Sequence, residues 1–337
     1  MSPTSGPVLI MGAGSVGCYL GGCLAAAGLE VHFVGRPRVI AALREQGLML
    51  TDLNGREQRI QSVDLHLHEQ VPASLSPSVT LLCVKSGATT SAAAELQAAL
   101  PAGSLVVSMQ NGIGNAERAQ ATAPDLRCLP GMVPFNIAEL APGHFHRGTA
   151  GALMAQDDPL LQPLQAAFSA QGLGFKLLPD LRAIQWGKLL INLNNPVNAL
   201  SGRPLREQLL QRGYRRCFAA LQSEALQVLA AAGIEPAQLA ALPPRRLPAM
   251  LRLPTFIFKR LAKRMLQIDA KARSSMADDL ALGRSTEIDA LCGEVVRLAA
   301  SNGRQAPLSA RMCELVQNFP QRSRPYGPDE LPKALGI

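Results

Sequence analysis

The chain has 337 residues, 47% of them hydrophobic, which is enough for about two domains with a large core. Its net charge of +8 suits an anionic cofactor and an acidic substrate, whereas aromatic residues make up only 4% and no nucleic-acid-binding motif occurs, which disfavours nucleic acid as a partner. The 7 cysteines are scattered without a C-x-x-C pair, so we expect neither a metal site nor a disulfide framework. Free cysteines fit a reducing compartment.

Targeting and membrane signals are weak throughout. Residues 1–7 are polar and hold no apolar signal region, and no apolar run reaches membrane-spanning length. These features predict a cytoplasmic protein without a membrane partner. A homodimer is compatible with them.

The first pattern along the chain is a short apolar run at residues 8–11 that leads into G-x-G-x-x-G. In a dinucleotide-binding βαβ unit, the first glycine permits a tight turn and the second lets a pyrophosphate approach the backbone. The third glycine lets the following helix pack close to the sheet. We therefore predict that the cofactor pyrophosphate lies at this helix N-terminus, on Gly12, Ala13, Gly14, Ser15, Val16 and Gly17.

The second predicted strand, residues 30–36, ends in Gly35-Arg36-Pro37-Arg38. An NAD site usually has a carboxylate here for the ribose 2′-hydroxyl, whereas a guanidinium can pair with a 2′-phosphate. The sequence therefore favours NADP(H), with Arg36 as the phosphate ligand. The alternative is that Arg36 and Arg38 are solvated loop cations.

Two more buried strands are predicted at residues 79–85 and 104–109, because both are continuous apolar runs. Ligands of open α/β sheets bind outside the carboxyl ends of the strands. Lys85 and Asn111 lie at such ends and are candidates for contact with the cofactor or substrate. The alternatives are that Lys85 only begins a surface loop and that Asn111-Gly112 is only a turn.

Shorter signals fill the rest of this region. Residues 39–46 predict a helix, and Asn54-Gly55 predicts a hairpin. Residues 128–178 predict further β structure interrupted by one helix, and helical periodicity dominates from residue 180 onward. The predicted fold is an α/β Rossmann-type domain over residues 1–179 followed by an all-α domain over residues 180–337.

The segment 181–200 predicts one long helix that carries Lys188 and Asn192 on the same face, with Asn195 close to it. A lysine and several amides are costly to bury in an apolar helix without partners, and asparagine is a poor helix former. A substrate that carries oxygen atoms would explain them. Hydrogen bonding between helices in the core is the alternative.

A basic insertion, residues 236–268, precedes the last helices. Its apolar side chains predict a helical stripe that docks on its own domain, with membrane binding as the alternative; they are Phe256, Ile257, Leu261, Met265 and Ile268. A short helix follows over residues 274–280. Thr286 and Asp289 then fit a capping box, which would place Glu287 in a first helical turn, where the alternative role is to complement the helix dipole.

Four segments together resemble one family, the ketopantoate reductases: residues 12–17, Gln110-Asn111-Gly112, Lys188-x-x-x-Asn192, and residues 274–289. The resemblance implies an N-terminal Rossmann domain and a helical C-terminal domain. It also implies NADPH-dependent reduction of 2-dehydropantoate to (R)-pantoate in pantothenate biosynthesis.

The resemblance also implies roles for single residues. Lys188 corresponds to the general acid, Glu287 to the acid that binds the substrate hydroxyl, and Ser275 to the group near the substrate carboxylate. Asn111 and Asn192 correspond to amides that position cofactor and substrate. The cofactor side is completed by Arg36 at the 2′-phosphate and by Lys85.

Two departures from the family pattern concern the substrate. Asn195-Pro196 comes one residue early, so either Asn195 or Asn198 takes the second substrate-binding amide role. The basic insertion is also longer than in compact members and can reshape the pocket. A reductase of another 2-keto acid, a hydroxyacid dehydrogenase of the 6-phosphogluconate type and a non-catalytic NADP-sensing protein are the alternatives.

Overall fold

The computed structural model describes residues 6–263, 265–267, 269 and 272–337. The chain divides into two compact units between Leu181 and Arg182. Strands with intervening helices form the first unit, and helices form the second. This arrangement confirms the predicted fold class, an α/β Rossmann-type region followed by an all-α region.

The first unit contains two sheets. The larger has eight strands in the order β12-β11-β8-β7-β6-β1-β2-β5, and the smaller has the order β4-β3-β10-β9. The strands are β1 (Val8–Met11), β2 (Val31–Val34), β3 (Leu48–Asp52), β4 (Glu57–Ile60), β5 (His66–His68), β6 (Val79–Leu82), β7 (Leu105–Ser108), β8 (Arg127–Met132), β9 (Ile137–Ala141), β10 (His144–Arg147), β11 (Leu153–Gln156) and β12 (Phe175–Leu178).

The centre of the larger sheet is parallel and buried on both faces. Strand β1 pairs in parallel with β2 and β6, and β6 pairs in parallel with β7. Every residue of β1, β6 and β7 is buried, which confirms the reading of these apolar runs as interior strands. Their carboxyl ends therefore share one edge of the sheet.

In the described part of the first unit, five α-helices accompany these strands: α1 (Ser15–Ala26), α2 (Pro37–Gln46), α3 (Thr89–Ala99), α4 (Asn115–Thr122) and α5 (Gln162–Ala170). Helix α1 packs between the two sheets. A Cβ on Gly21 would lie 2.4 Å from the Phe33 ring of β2, and one on Gly22 would lie 2.7 Å from Leu48 of β3. The small residues of α1 thus permit contact with a sheet on either side.

The hairpin predicted at Asn54-Gly55 is confirmed, since β3 and β4 pair antiparallel around it. Gly55 has a φ of 81°, a left-handed conformation that glycine adopts without strain. Asp52 accepts the backbone N–H of Asn54 at 2.8 Å and pairs at 2.8 Å with the buried Arg147 of β10. This ion pair joins the hairpin to the other half of the smaller sheet.

The second unit consists of α6 (Arg182–Asn192), α7 (Asn194–Ser201), α8 (Leu205–Leu210), α9 (Arg212–Ala231), α10 (Leu247–Arg252), α11 (Thr255–Leu261), α12 (Ser275–Ala281), α13 (Glu294–Ser301), α14 (Pro307–Gln317) and α15 (Glu330–Leu335). Within the described ranges, no helix combines the length and apolar character that a membrane crossing requires.

The prediction of one helix over residues 181–200 is wrong. The structure divides the segment into α6 and α7, with Leu193 between them. Pro196 explains the break, because proline has no N–H for the helical bond to residue 192 and its ring clashes with that carbonyl. Lys188 and Asn192 stay on α6, while Asn195 and Asn198 lie on α7.

The predicted first turn around Glu287 is also wrong. The helix follows Glu287 as a π-helical turn, Asp289–Gly293, that continues into α13. The Asp289 carboxylate does not serve a capping box, because both of its oxygens accept from Arg297 at 3.0 Å. Glu287 therefore lies just before the helix.

In the part of the basic insertion that the structure describes, the chain forms two short α-helices, α10 and α11, instead of one apolar stripe. Phe256 and Leu261 are largely exposed, and Met265 lies beyond the end of α11. Ile268 lies outside the described residues. Phe258 is the buried side chain of α11, and the Arg215 guanidinium lies 4.3 Å from its ring centroid. Pro254 precedes α11 and restarts the helix, which sets this different inward face.

Candidate active site

The glycine-rich turn after β1 is shaped by close packing. Gly12 has a φ of 112°, and a Cβ there would lie 2.7 Å from the Val84 nitrogen. A Cβ on Gly17 would lie 2.1 Å from the Gly12 carbonyl oxygen. Around the corresponding position on Gly14, no atom of the described chain lies within 4 Å apart from those of Gly14 and its two chain neighbours. The turn is therefore closed on its protein side and open at Gly14.

Helix α1 begins at Ser15, directly after this opening. Its first turn is uncharged, so the N–H groups and the positive end of the helix dipole are not neutralised by a carboxylate of that turn. Ala13 and Val16 complete the backbone of the turn. Such a turn can hold a pyrophosphate, and binding by the six residues of the motif stays a prediction.

Arg36 lies beside this turn. The Val34 carbonyl at the end of β2 accepts from Gly12 at 3.0 Å and from Ala13 at 2.8 Å. A Cβ on Gly35 would lie 2.6 Å from the Ala13 methyl group, so the chain can pass the turn closely only with glycine. Arg36, which follows, is exposed and precedes Pro37 at the start of α2.

Lys85 and Asn111 follow the neighbouring strands β6 and β7. Lys85 is exposed and Asn111 is half-buried. The Asn111 carbonyl accepts from the Ser86 hydroxyl at 2.9 Å and from the Asn115 amide at 2.8 Å. The bond from Ser86 ties the two loops together at one edge of the sheet, and the bond from Asn115 lies within the second loop.

Gln110 is a residue of this region whose role the sequence analysis missed. It is buried, and its amide donates to the Val84 carbonyl at 2.9 Å and to the Thr89 hydroxyl at 2.8 Å. It thereby holds the loop that carries Lys85 against the loop that carries Asn111. A polar residue directly after a buried strand was the available signal.

In the helical unit, the structure brings Lys188 and Glu287 into electrostatic interaction. Lys188 lies on α6 and is half-buried, and desolvation lowers its pKa from 10.5 to about 8. The negative charge of Glu287 opposes that shift. A lysine in this state exchanges a proton close to neutral pH, which suits a general acid. Asn192, one helical turn further on α6, is also half-buried.

Helix α7 positions the start of α12. The fully buried Asn198 donates to the Arg203 carbonyl at 2.9 Å and accepts the backbone N–H of Ser274 at 2.9 Å. The Ser274 hydroxyl donates to the Asn195 carbonyl at 3.2 Å and accepts from the Ala277 N–H, which caps α12. The exposed Ser275 is the first residue of that helix.

The buried Asn194 side chain is hydrogen-bonded to another helix. Its amide pairs in both directions with the Gln208 amide, at 3.1 and 3.2 Å, and both side chains are buried. This is the inter-helix hydrogen bonding that was the alternative for the polar residues of this segment. Asn192, Asn194 and Asn198 therefore differ in environment although they are close in sequence.

Comparison with known proteins covers nearly the whole chain. A family model described as ketopantoate reductase PanE/ApbA matches residues 8–158, and the C-terminal model of the same family matches residues 180–319. The 2-dehydropantoate 2-reductase of Halobacterium salinarum is 27% identical over 328 residues, which cover 92% of this chain and 97% of that protein.

Solved structures agree with this result. A PanE/ApbA family ketopantoate reductase from Ralstonia eutropha JMP134 is 28% identical, with a TM-score of 0.79 over 94% of this chain and 98% of that one. A D-mandelate dehydrogenase solved with NADH and anilino(oxo)acetate is 20% identical and shares the fold, with a TM-score of 0.76 over the same shares. The chain therefore belongs to the ketopantoate reductase family of NAD(P)-dependent oxidoreductases, which act on small keto acids.

Proposed function

We propose that this chain reduces 2-dehydropantoate to (R)-pantoate with NADPH, and that Lys188 is the general acid. The observation that carries the proposal is the state of Lys188, which is desolvated, has a pKa of about 8 and interacts with Glu287. A surface lysine would keep a much higher pKa, and a structural ion pair would not lower it. Pantothenate biosynthesis is the corresponding metabolic context.

The chemistry of the reduction requires one proton. NADPH held by the residues of the first unit would supply the hydride for the 2-keto carbon, and the carbonyl oxygen would then need a proton. Lys188 donates a hydrogen bond and then its proton to that oxygen, a contribution of about 10²–10⁴-fold to the rate. Because its pKa lies close to neutral pH, the lysine is a stronger acid than in water and is easily reprotonated.

The remaining residues bind the keto acid. Glu287 accepts a hydrogen bond from the substrate 4-hydroxyl, and Ser275 and Asn192 bind the carboxylate and neighbouring oxygens. Asn195 is our choice for the second amide, because both polar ends of Asn198 already bond to the backbone. An analogue without the hydroxyl would leave the Glu287 carboxylate without its substrate partner, which is the basis of selection.

The residues of the first unit fit NADPH. The open face at Gly14 and the uncharged first turn of α1 suit a pyrophosphate, and the exposed Arg36 beside Gly35 suits a 2′-phosphate. Lys85 and Asn111 follow adjacent parallel strands, where they can contact the cofactor.

A second candidate function is the reduction of another 2-keto acid. The observation that favours it is the basic insertion, because α10 and α11 precede Ser275 in the chain and are an addition to the compact pattern. The fold shared with a D-mandelate dehydrogenase agrees with such variation, since mandelate is a different 2-hydroxy acid. Lys188 would keep the same role.

The test is NADPH oxidation with ketopantoate and, in parallel, with 2-ketoisovalerate, which lacks the hydroxyl. We expect fast turnover of ketopantoate alone. Equal rates on both would remove the Glu287 role but retain the lysine chemistry. Turnover of neither, with tight NADPH binding, would reject the substrate and favour the second candidate.

Two other expectations stay predictions. They are a homodimer and a cytoplasmic location; the seven free cysteines agree with the second, and each needs its own measurement. Sedimentation of the purified chain measures the first, and fractionation of cells measures the second.

A further inference from the structure

Three of the 5 histidines of the chain lie together at the edge of the larger sheet. His32 of β2 is the register partner of His66 on the edge strand β5, and His68 follows two residues later on the same face. The His32 ring lies nearly parallel to both of the other rings, with centroid distances of 4.6 Å to His66 and 5.1 Å to His68. None of these residues takes part in the proposed reaction.

Both nitrogens of His32 already have polar neighbours. Its Nε2 lies 2.8 Å from the Glu30 carboxylate, and its Nδ1 lies 3.0 Å from the Nε2 of His68. A nitrogen lone pair and a carboxylate oxygen at this distance need a cation between them, which is a proton in the ion-free molecule. A metal ion can replace that proton.

The ligand atoms of Glu30, His32 and His66 all lie within 4.8 Å of one another. Zinc bonds of about 2.0–2.2 Å place two tetrahedral ligands roughly 3.4 Å apart, so an ion would widen the 2.8 Å separation of His32 and Glu30 and draw the more distant ligand atoms together. Glu30 and His66 are exposed, so rotation of their side chains toward an ion disturbs no core packing.

We propose that Glu30, His32 and His66 bind a divalent transition-metal ion of the zinc class. Two imidazoles and one carboxylate, with water in the remaining position, are a ligand set that zinc uses in proteins. His68 acts from outside the ligand set: it accepts the Nδ1–H of His32 and keeps Nε2 directed at the ion. Metal-bound histidines usually have such a partner on the other nitrogen.

The ion would fasten the edge strand β5 to β2. The three-residue strand β5 is the outermost of the sheet, and an edge strand is a weak point of a sheet. The His68 carbonyl also accepts the Gly35 N–H at 3.1 Å, so the same strand supports the turn before Arg36. The site belongs to the first unit and is independent of the proposed reaction.

The test uses the full chain after removal of any affinity tag and dialysis against a chelator. Titration with ZnCl₂ in a calorimeter should give one ion per chain. A saturating excess should raise the Tm by roughly 5 °C, because the ion binds only the folded state. Bound Co²⁺ should show the visible absorption of a protein site with nitrogen and oxygen ligands.

Matched variants identify the ligands. His66→Ala and Glu30→Gln should each weaken Zn²⁺ binding and abolish the Tm rise. His68→Leu should weaken it about 10–100-fold, while His68→Gln, which keeps an acceptor, should retain most of it. His146→Ala is the control, since that half-buried histidine bonds to Thr51 on the other sheet and should bind zinc as wild type does.

Three results would overturn the proposal. They are wild-type protein that binds no Zn²⁺ at micromolar concentration, binding that persists unchanged in both His66→Ala and Glu30→Gln, and binding that disappears in His146→Ala. Because NADPH oxidation is measured separately, failure of the metal site leaves the proposed function untouched, and the reverse also holds.

Discussion

The side-chain oxygen of Asn198 accepts the backbone N–H of Ser274 at 2.9 Å, and Ser274 in turn caps the helix that begins at Ser275. One buried amide on α7 thus fixes the N-terminus of α12. The side-chain nitrogen of Asn198 is also hydrogen-bonded, because it donates to the Arg203 carbonyl. Asn198 is therefore a positioning residue for Ser275.

Replacement of Asn198 by alanine should therefore affect both stability and substrate binding. Loss of the bonds from a buried site costs about 2 kcal/mol, which corresponds to a Tm decrease of roughly 4–8 °C. Displacement of Ser275 should raise the KM for the keto acid more than it lowers kcat, while the NADPH affinity stays the same. Steady-state kinetics and thermal unfolding measure these effects.

The control for this variant is Asn194→Ala, which also removes buried amide bonds, those to Gln208, but none to the start of α12. It should destabilise the protein to a similar degree without a selective rise in the KM. Equal KM values in the two variants would show that Asn198 acts on stability alone.

Lys188→Met should reduce kcat by about 10²–10⁴-fold while NADPH still binds, because the proton donor is lost. Fluorescence titration of NADPH and single-turnover kinetics separate the two effects. Wild-type turnover in this variant would reject the assignment of Lys188. Lys176→Met, which removes an exposed lysine of β12, is the matched control and should keep full activity.

Lys188→Met should be more stable than the wild type at neutral pH. Desolvation holds the pKa of Lys188 at about 8 instead of 10.5, a difference worth about 3 kcal/mol. This cost is fully present below pH 8, where the folded chain holds the desolvated charge of Lys188. It disappears as the pH rises toward 10.5, because the lysine is then neutral in both states. Thermal unfolding of Lys188→Met at several pH values should show a gain that shrinks across this window.

The pH dependence of the reaction should follow Lys188. A general acid must be protonated, so kcat/KM should fall as the pH rises through about 8. Glu287→Gln removes the negative charge that raises the pKa of the lysine, so the fall should move to lower pH. Discrimination between ketopantoate and 2-ketoisovalerate should weaken in the same variant.

Asp289→Asn is the control for the charge effect. Asp289 is a nearby carboxylate, but it pairs with Arg297 and does not contribute to the shift of Lys188. Its profile should match the wild type. An unshifted profile in Glu287→Gln would contradict the electrostatic link between Glu287 and Lys188.

Arg36→Ala should weaken NADPH binding by about 10–100-fold, as expected for the loss of hydrogen bonds to a charged group. NADH binding should hardly change, because NADH has no 2′-phosphate. The Kd of each cofactor measures the effect. Arg44→Ala, which removes an exposed arginine of the helix α2 that follows Arg36, is the control. Equal losses for NADPH and NADH in Arg36→Ala would exclude the 2′-phosphate role.

Local patterns predicted much of the first unit. Apolar runs identified β1, β6 and β7, and Asn54-Gly55 identified the hairpin, because these features depend on neighbouring residues. The break at Leu193 is not predicted by helical periodicity, because the period of the apolar residues continues past it while the missing N–H of Pro196 ends the hydrogen bonding. The capping box failed because Asp289 has a competing partner, Arg297, eight positions later.

The site was harder to predict than the fold, because its contacts join distant segments. Sequence spacing gives no sign that Glu287 interacts with Lys188, or that Asn198 bonds to Ser274. The histidine cluster shows the same limit. His66 and His68 form a visible His-x-His pair, but their partner His32 becomes a neighbour only when β2 and β5 pair.

The hydrogen bonds of Arg215 determine which helices of the second unit can open together. Its fully buried guanidinium donates to the carbonyls of Leu209, Leu251 and Leu253 and to the Thr255 hydroxyl, at 2.8–3.2 Å. The ends of α8, α10 and α11 are thus held by one side chain of α9. The three segments should therefore open as a single cooperative unit that separates from α9 while the rest of the helical unit stays folded. Their backbone amides should then exchange hydrogen with one common free energy of opening.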